Sequence, residues 1–349
     1  MKRLLLMTIL CLAVLQATWA KLTVTKESDG TVVFTLDATG DIANEFTMKL
    51  DGLYKASDFI TPYLTATKLK VVTKTEVKMS SDDLKRICGK EDRENNFPNL
   101  NTLDLESADL TNDDDLVHLR YMDNLKTITF PRTTTNIPLY CLTTASCKIE
   151  HVIIPDNKNR SVTVGTQAFG ETLKTIKLGE VDPNGHSEIK QQAFLNCTSL
   201  TSVDFGLGWK EIGVQAFYGC SALKDIVLPE GIEAIRRGAF SDAAIEAIHL
   251  PNTLKIIEED AFKCHYLKTI TIPASVELIK AFAFQQNYAL TDVYVLGTNT
   301  KAENQAFYQQ ATASFKYNNP SNTTPLKREF YKKDDSSNSP LAMLHYPEA

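Results

Sequence analysis

The sequence predicts a mainly β repeat solenoid: a right-handed stack of short coils, closed at its N-terminal end by a hairpin and a mixed α/β cap. Three observations predict it. Seven Ala-Phe pairs end at Phe169, Phe194, Phe217, Phe240, Phe262, Phe284 and Phe307, with successive gaps of 25, 23, 23, 22, 22 and 23 residues. A period in the low twenties belongs to chains whose coils each bury one face against their neighbours. A six-residue element, apolar at its first, fourth and sixth positions, starts at Leu100, Leu125, Ile149, Leu173, Leu200, Leu223, Ile245, Leu267 and Leu290. Proline follows five of these elements directly, at Pro131, Pro155, Pro229, Pro251 and Pro273. Its missing N–H cannot serve a ladder, so it marks where a strand stops and the chain turns.

The elements follow in order. Met1-Lys2-Arg3, an apolar run from Leu4 to Leu15 and the small-residue site at Ala20 have the pattern of a secretory signal peptide over 1–20. A buried N-terminal helix is the alternative. The apolar run falls short of the roughly 20 residues a membrane span needs. Leu22 to Thr25 and Val32 to Leu36 both alternate, and Asp29-Gly30 between them suits a tight turn, which predicts a β-hairpin. Leu69, Val71 and Val72 read as a strand, and Ser81-Asp82-Asp83-Leu84 as the capped start of a helix. Residues 21–98 are therefore expected to be a hairpin and capping region, 99–312 the solenoid, and 313–349 a C-terminal cap and flexible tail.

Within the solenoid each coil reads strand, corner, short strand, Ala-Phe corner. The short strands are represented by Ile232 and Ile235, or by Leu254, Ile256 and Ile257. Alanine permits close backbone approach and phenylalanine fills the interior, so rings of adjacent coils should stack at about the strand spacing of 4.8 Å. One longer step contains Asp182-Pro183-Asn184-Gly185, a loop insertion.

Composition excludes several functions. The 349 residues carry a net charge of −6, and without Lys2 and Arg3 the balance is 35 basic against 43 acidic residues. No basic stripe is present, so nucleic acid and anionic membrane surfaces are excluded as partners, and no membrane insertion is expected after leader removal. Cys197, Cys220 and Cys264 each stand three residues before a strand leucine. A metal or redox site is one reading. Small buried thiols at a corner are favoured, because no CxxC or histidine partner completes a ligand set. Cys141 and Cys147 are near enough in sequence for a disulfide, which spacing alone leaves open.

His249 projects from a strand with Asp225 diagonal to it and Asp204 beyond, an arrangement that could make a base. No Ser or Cys nucleophile shares that face, so an ordinary surface pair is the favoured reading. Asp113-Asp114-Asp115 and residues 182–188 could suggest calcium, but neither follows the D-x-[DN]-x-[DN]-G loop. Gly206-Leu207-Gly208-Trp209 lacks the third glycine of a phosphate loop. Trp209 itself reads equally as an exposed contact residue or as a corner-filling aromatic.

The stretch Ala216-Phe217-Tyr218-Gly219-Cys220-Ser221-Ala222-Leu223, with Ile226, Leu228-Pro229, Ile232, Ile235 and Ala239-Phe240, resembles the BspA-like class of bacterial leucine-rich repeats. The resemblance is specific over 161–310 and weaker over 99–160. It implies an exported, often cell-surface protein that takes part in adhesion or protein recognition, toward host-matrix proteins or other cells. The sequence departs from the pattern at Lys301 and Glu303-Asn304, and at Leu139-Tyr140, which stands where an Ala-Phe pair is expected.

Third and fifth strand positions should point outward: Thr175/Lys177, Ser202/Asp204, Asp225/Val227, Ala247/His249, Thr269/Thr271 and Asp292/Tyr294. This face, about 40 Å long at strand spacing, is the expected binding surface, with Trp209 beside it. No catalytic residue, metal ligand or cofactor is assigned. Two alternatives stand beside recognition: a rigid spacer or stalk for further C-terminal sequence, and a surface hydrolase.

Overall fold

The computed structural model describes residues 22–44, 46–48, 54–56, 60–89, 96–144, 147–303, 305–307, 314–317 and 326–328. The signal-peptide reading of 1–20 and most of the tail beyond 313 lie outside them. The chain winds through two sets of parallel strands, long ones on one side and short ones on the other.

All nine sequence-predicted repeat strands are present. The long-strand ladder runs in order Thr23–Lys26, Val32–Leu36, Lys68–Thr73, Thr102–Asp104, Thr127–Thr129, His151–Ile154, Thr175–Leu178 and Ser202–Phe205. It continues, after a break, as the pair Asp225–Val227 and Ala247–His249. After a second break come Thr269–Ile272, Asp292–Val295, Ser314–Tyr317 and Leu326–Arg328. Period-2 alternation sets the register: Ile176 lies level with Val152 and Val203, all turned toward the core.

The short strands form one unbroken parallel sheet of eight, from Asn136–Ile137 to Lys301–Ala302. Ile189, Ile212, Ile235, Ile257 and Ile279 occupy one register position along it and are buried. A β-branched residue suits such a position because its stiff side chain packs without losing further rotamer freedom.

Between the sheets runs the phenylalanine stack. Six consecutive ring pairs from Phe169 to Phe307 have centroids 4.7 to 5.4 Å apart and planes within 14°. Each fully buried ring contributes about 1.5–3 kcal/mol through burial alone. A residue with positive φ stands two before each phenylalanine, from Gln167 (48°) through Gln192, Gln215, Gly238, Asp260 and Phe282 to Gln305 (64°). That left-handed residue makes the corner that delivers the ring inward.

The same corner corrects one expectation. Tyr140 is the left-handed residue of its coil, with φ 54°. Cys141 and the residue after it, Leu142, therefore take the Ala-Phe slot, not Leu139-Tyr140. Leu142 N–H donates to Ala168 O as Phe169 N–H donates to Ala193 O, and Cys141 and Leu142 are buried while Leu139 and Tyr140 are exposed.

Two boundaries also shift. The hairpin forms, with Thr23–Lys26 antiparallel to Val32–Leu36, but the second strand already pairs in parallel with Lys68–Thr73, so the ladder begins inside the region read as a cap. At the other end Ser314–Tyr317 adds one more parallel strand, and Leu326–Arg328 pairs antiparallel to it. An antiparallel strand thus closes the long-strand ladder at both ends. The helix is Ser81–Cys88, capped one residue earlier than expected: Ser80 Oγ accepts from Asp83 N–H, and the Asp83 carboxylate accepts from Ser80 N–H at 2.8 Å.

Candidate recognition face

The outward positions fall where the strand period places them. Lys177, Ser202, Asp204, Asp225, Val227, Ala247, His249, Thr269 and Thr271 are exposed, and Thr175, Asp292 and Tyr294 are half-buried. Val227 is 65% exposed, the largest value among the exposed large hydrophobic residues described. Asp225 lies level with Ala247, and Val227 with His249. Asp225 is therefore diagonal to His249, and among the described residues no hydrogen bond joins them. Thr175 Oγ1 lies 2.8 Å from His151 Nδ1, the one side-chain contact that Thr175 makes along the face.

Asp225, Val227, Ala247 and His249 make up the two-stranded block between the two ladder breaks. The short-strand side runs through the same coils without interruption. The first break follows the Gly206-Leu207-Gly208 corner. A Cβ on Gly208 would meet Val181 O at 2.4 Å, and its φ is +96°, so only glycine fits there. Past this corner Trp209 takes the position that the buried Ile232 holds one coil on. Trp209 is 0% exposed and its Nε1–H donates to Gly179 O at 3.1 Å, so it is a corner-filling residue and leaves the list of contact residues. A buried indole this large needs a partner for its N–H, and the preceding coil supplies it.

The six described cysteines are buried, free thiols, Cys141 and Cys147 included. Cys220 Sγ lies 3.3 Å from Phe194 O and Cys264 Sγ 3.2 Å from Phe240 O, each reaching the preceding coil. Asn287 takes the same position one coil on, donating from Nδ2 to Phe262 O. Burial pushes the Cys220 thiol up to about 12 and Cys264 higher still, the neutral form being the only one that an apolar corner tolerates. Asp113 Oδ2 accepts from Thr135 N–H, Thr135 Oγ1 and Asn136 N–H, so that carboxylate closes a corner. Asp182 Oδ1 likewise accepts from Asn184 N–H within its own loop. Among the described residues no group of three His, Cys, Asp or Glu side chains is placed to hold a metal ion.

Charge pairing was missed from sequence although its signal is there. Lys126, Glu150 and Lys174 fall at one position of successive coils, as do Lys224, Glu246 and Lys268. Each glutamate bridges its two lysines, Glu150 at 3.4 and 2.7 Å, Glu246 at 3.4 and 2.6 Å. These partners hold both carboxyls below the ordinary range, the lysine hydrogen bonds being the main cause. On the short-strand side Arg236 bonds Glu211 at 2.6 Å and Glu258 at 3.1 Å, and Glu233 takes Lys255 at 3.0 Å and Lys210 at 3.9 Å. Lys177, Asp204, Asp225 and His249 on the outward face make no salt bridge among the described residues.

The BspA type leucine rich repeat model matches this chain in six copies across residues 95–177, 117–207 and 187–314, more than half its length. The chain belongs to the BspA-type leucine-rich repeat family. Solved structures similar to it include a leucine rich cell surface protein from Faecalibacterium prausnitzii, at 20% identity and TM-score 0.33, covering 56% of this chain and 70% of that one. The T. pallidum leucine rich repeat protein is similar at 21% identity and TM-score 0.34, over 48% and 71%. A leucine-rich repeat protein from Bacteroides ovatus is similar at 17% identity and TM-score 0.26, over 86% and 99%. Comparison with curated proteins gave no match. Among the described residues no helix is long and apolar enough to cross a membrane.

Proposed function

We propose that this chain is an exported, cell-surface recognition module, non-catalytic, that binds extracellular or host-matrix proteins or the surfaces of other cells. The long-strand face is its contact surface. One observation carries the reading. Other charged rows of the stack are paired within the molecule, whereas Lys177, Asp204, Asp225 and His249 project from an exposed face without a salt bridge among the described residues. Groups already paired gain little from a partner, while unpaired groups on a rigid sheet supply charge complementarity without paying ordering entropy. A face of about 40 Å also accommodates a standard interface of about 800 Å² per partner.

The test is capture of ligands from matrix and cell-surface extracts on the immobilised chain, repeated with Asp225→Ala, His249→Ala and Tyr294→Ala. Loss of the captured protein with these variants supports the face. Capture indifferent to all three turns the reading into that of a spacer. Turnover in an activity screen that disappears with His249→Ala would instead make the chain an enzyme.

A further inference from the structure

A second cluster lies away from that face, on the corner after the Ala-Phe pairs. Tyr266 and Tyr288 stand four residues beyond Phe262 and Phe284, one coil apart, and are 57% and 64% exposed. The His265 ring lies parallel to Tyr288, within 10° and with centroids 5.9 Å apart, and meets Tyr266 edge-on at 6.5 Å. His265 is itself held from both sides, its Nε2 3.2 Å from Asp242 Oδ1 and its Nδ1 3.1 Å from Gln286 O. Asp242 also accepts from the Tyr218 phenol one coil earlier, which pushes that phenol up. Four successive coils therefore contribute to one fixed group of rings and acceptors.

The fold does not require these rings. Four residues past the earlier phenylalanines stand Thr198, Ser221 and Ala244, small side chains that complete the same corner. Two phenols that pack only on His265 and stay more than half exposed exceed what that corner needs, so a ligand is the better account of them. Its size follows from area. Two tyrosines can cover at most about 500 Å², well short of the roughly 800 Å² that one partner gives to a standard protein interface. The neighbours Lys263, Gln285 and Gln286 are polar and do not enlarge the patch. Stacked nucleobases are excluded by charge, because a carboxylate sits in the cluster and the chain's net charge is −6. An uncharged ring remains, with an apolar face to lie on a phenol and hydroxyls to meet Asp242 and the glutamine amides.

We propose that Tyr266 and Tyr288, with Asp242, His265 and Tyr218, form a binding subsite for a sugar ring of a neutral polysaccharide. The site is separate from the long-strand face and does not depend on it. The test is affinity electrophoresis of the whole chain through gels containing laminarin, mannan, xylan or soluble starch, with binding constants then measured on the corresponding hexasaccharide. Retardation by at least one polymer is expected, lost with Tyr266→Ala/Tyr288→Ala and kept with Tyr288→Phe. Each alanine alone should weaken binding about tenfold, the scale of one ring-stacking contact. Asp225→Ala should leave it unchanged, which separates this site from the proposed face. Both tyrosines are more than half exposed, so an unchanged unfolding midpoint will show that the variants fold. No retardation by any of the four polymers, or retardation that survives the double substitution, overturns the proposal. So does loss of a captured protein, instead of a polysaccharide, with the tyrosine variants.

Discussion

On the short-strand side Lys210, Glu233, Lys255 and Glu277 follow one another at one position of four coils, alternating in sign. Arg236, Glu258, Lys280 and Glu303 do the same beside them. The long-strand side places Thr175, Ser202, Asp225, Ala247, Thr269 and Asp292 at an equivalent position, small or acidic and without alternation. Both sides grow from one backbone and share one core. What separates the outward row of the long strands from the other rows, the Lys126–Glu150–Lys174 and Lys224–Glu246–Lys268 rows beside it included, is whether neighbouring coils answer its charge. A self-paired surface has spent its electrostatic complementarity on itself, and an unanswered one keeps it for a partner.

The comparison can be broken at its root. Phe217→Ala removes a ring that stacks at 4.7 and 5.3 Å on its two neighbours. Urea unfolding should show about 3–5 kcal/mol lost. Both sides should then lose structure together, and a variant that melts only one side would refute a shared core. Trp209→Phe is smaller. It leaves Gly179 O without its donor and a space at that corner, and the same measurement should show about 1–3 kcal/mol.

Titration of the buried thiols comes next. The unfolded Cys220 thiol ionises near 9.0 and the folded one near 12. The folded state therefore holds the proton longer. The contribution is fully present below pH 9 and lost as pH rises from there toward 12. Between pH 8 and 10 the natural chain should lose about 1 kcal/mol more than Cys220→Ala. Equal pH slopes for the two would mean that the thiol is open to water.

Arg236→Gln sharpens the electrostatic half. Its pairs with Glu211 and Glu258 are only part-shielded, so the loss should be about 1 kcal/mol or less and should shrink in 1 M salt. The smallest effect is expected on the opposite side. Asp225→Ala and His249→Ala should each shift stability by less than about 0.5 kcal/mol. A larger shift would show that these groups serve the fold, and the contrast between the two sides would fall.

The candidate face was legible in outline. Alternation along Asp225-Ile226-Val227 and Ala247-Ile248-His249 was enough to say which residues point outward. The same alternation does not reach Trp209, which lies past the corner in the short strand, at the position Ile232 holds one coil on. Nor could it locate the Tyr218, Asp242, His265 and Tyr288 chain, whose members sit at different offsets from their phenylalanines. The alternating Lys and Glu rows needed no coordinates at all, only an alignment of the coils on their apolar positions.

By itself the sequence determined the period, the inward positions and the stacking of the phenylalanines. Each of those follows from one coil burying the same stripe as the next, a rule written in spacing. Tertiary structure alone decided that Leu142 replaces a ring in its coil and that the long-strand ladder breaks on either side of Asp225–Val227 and Ala247–His249. The reason is that these features depend on how neighbouring coils meet. Which backbone and side-chain groups become neighbours is settled by packing across coils rather than by pattern within one.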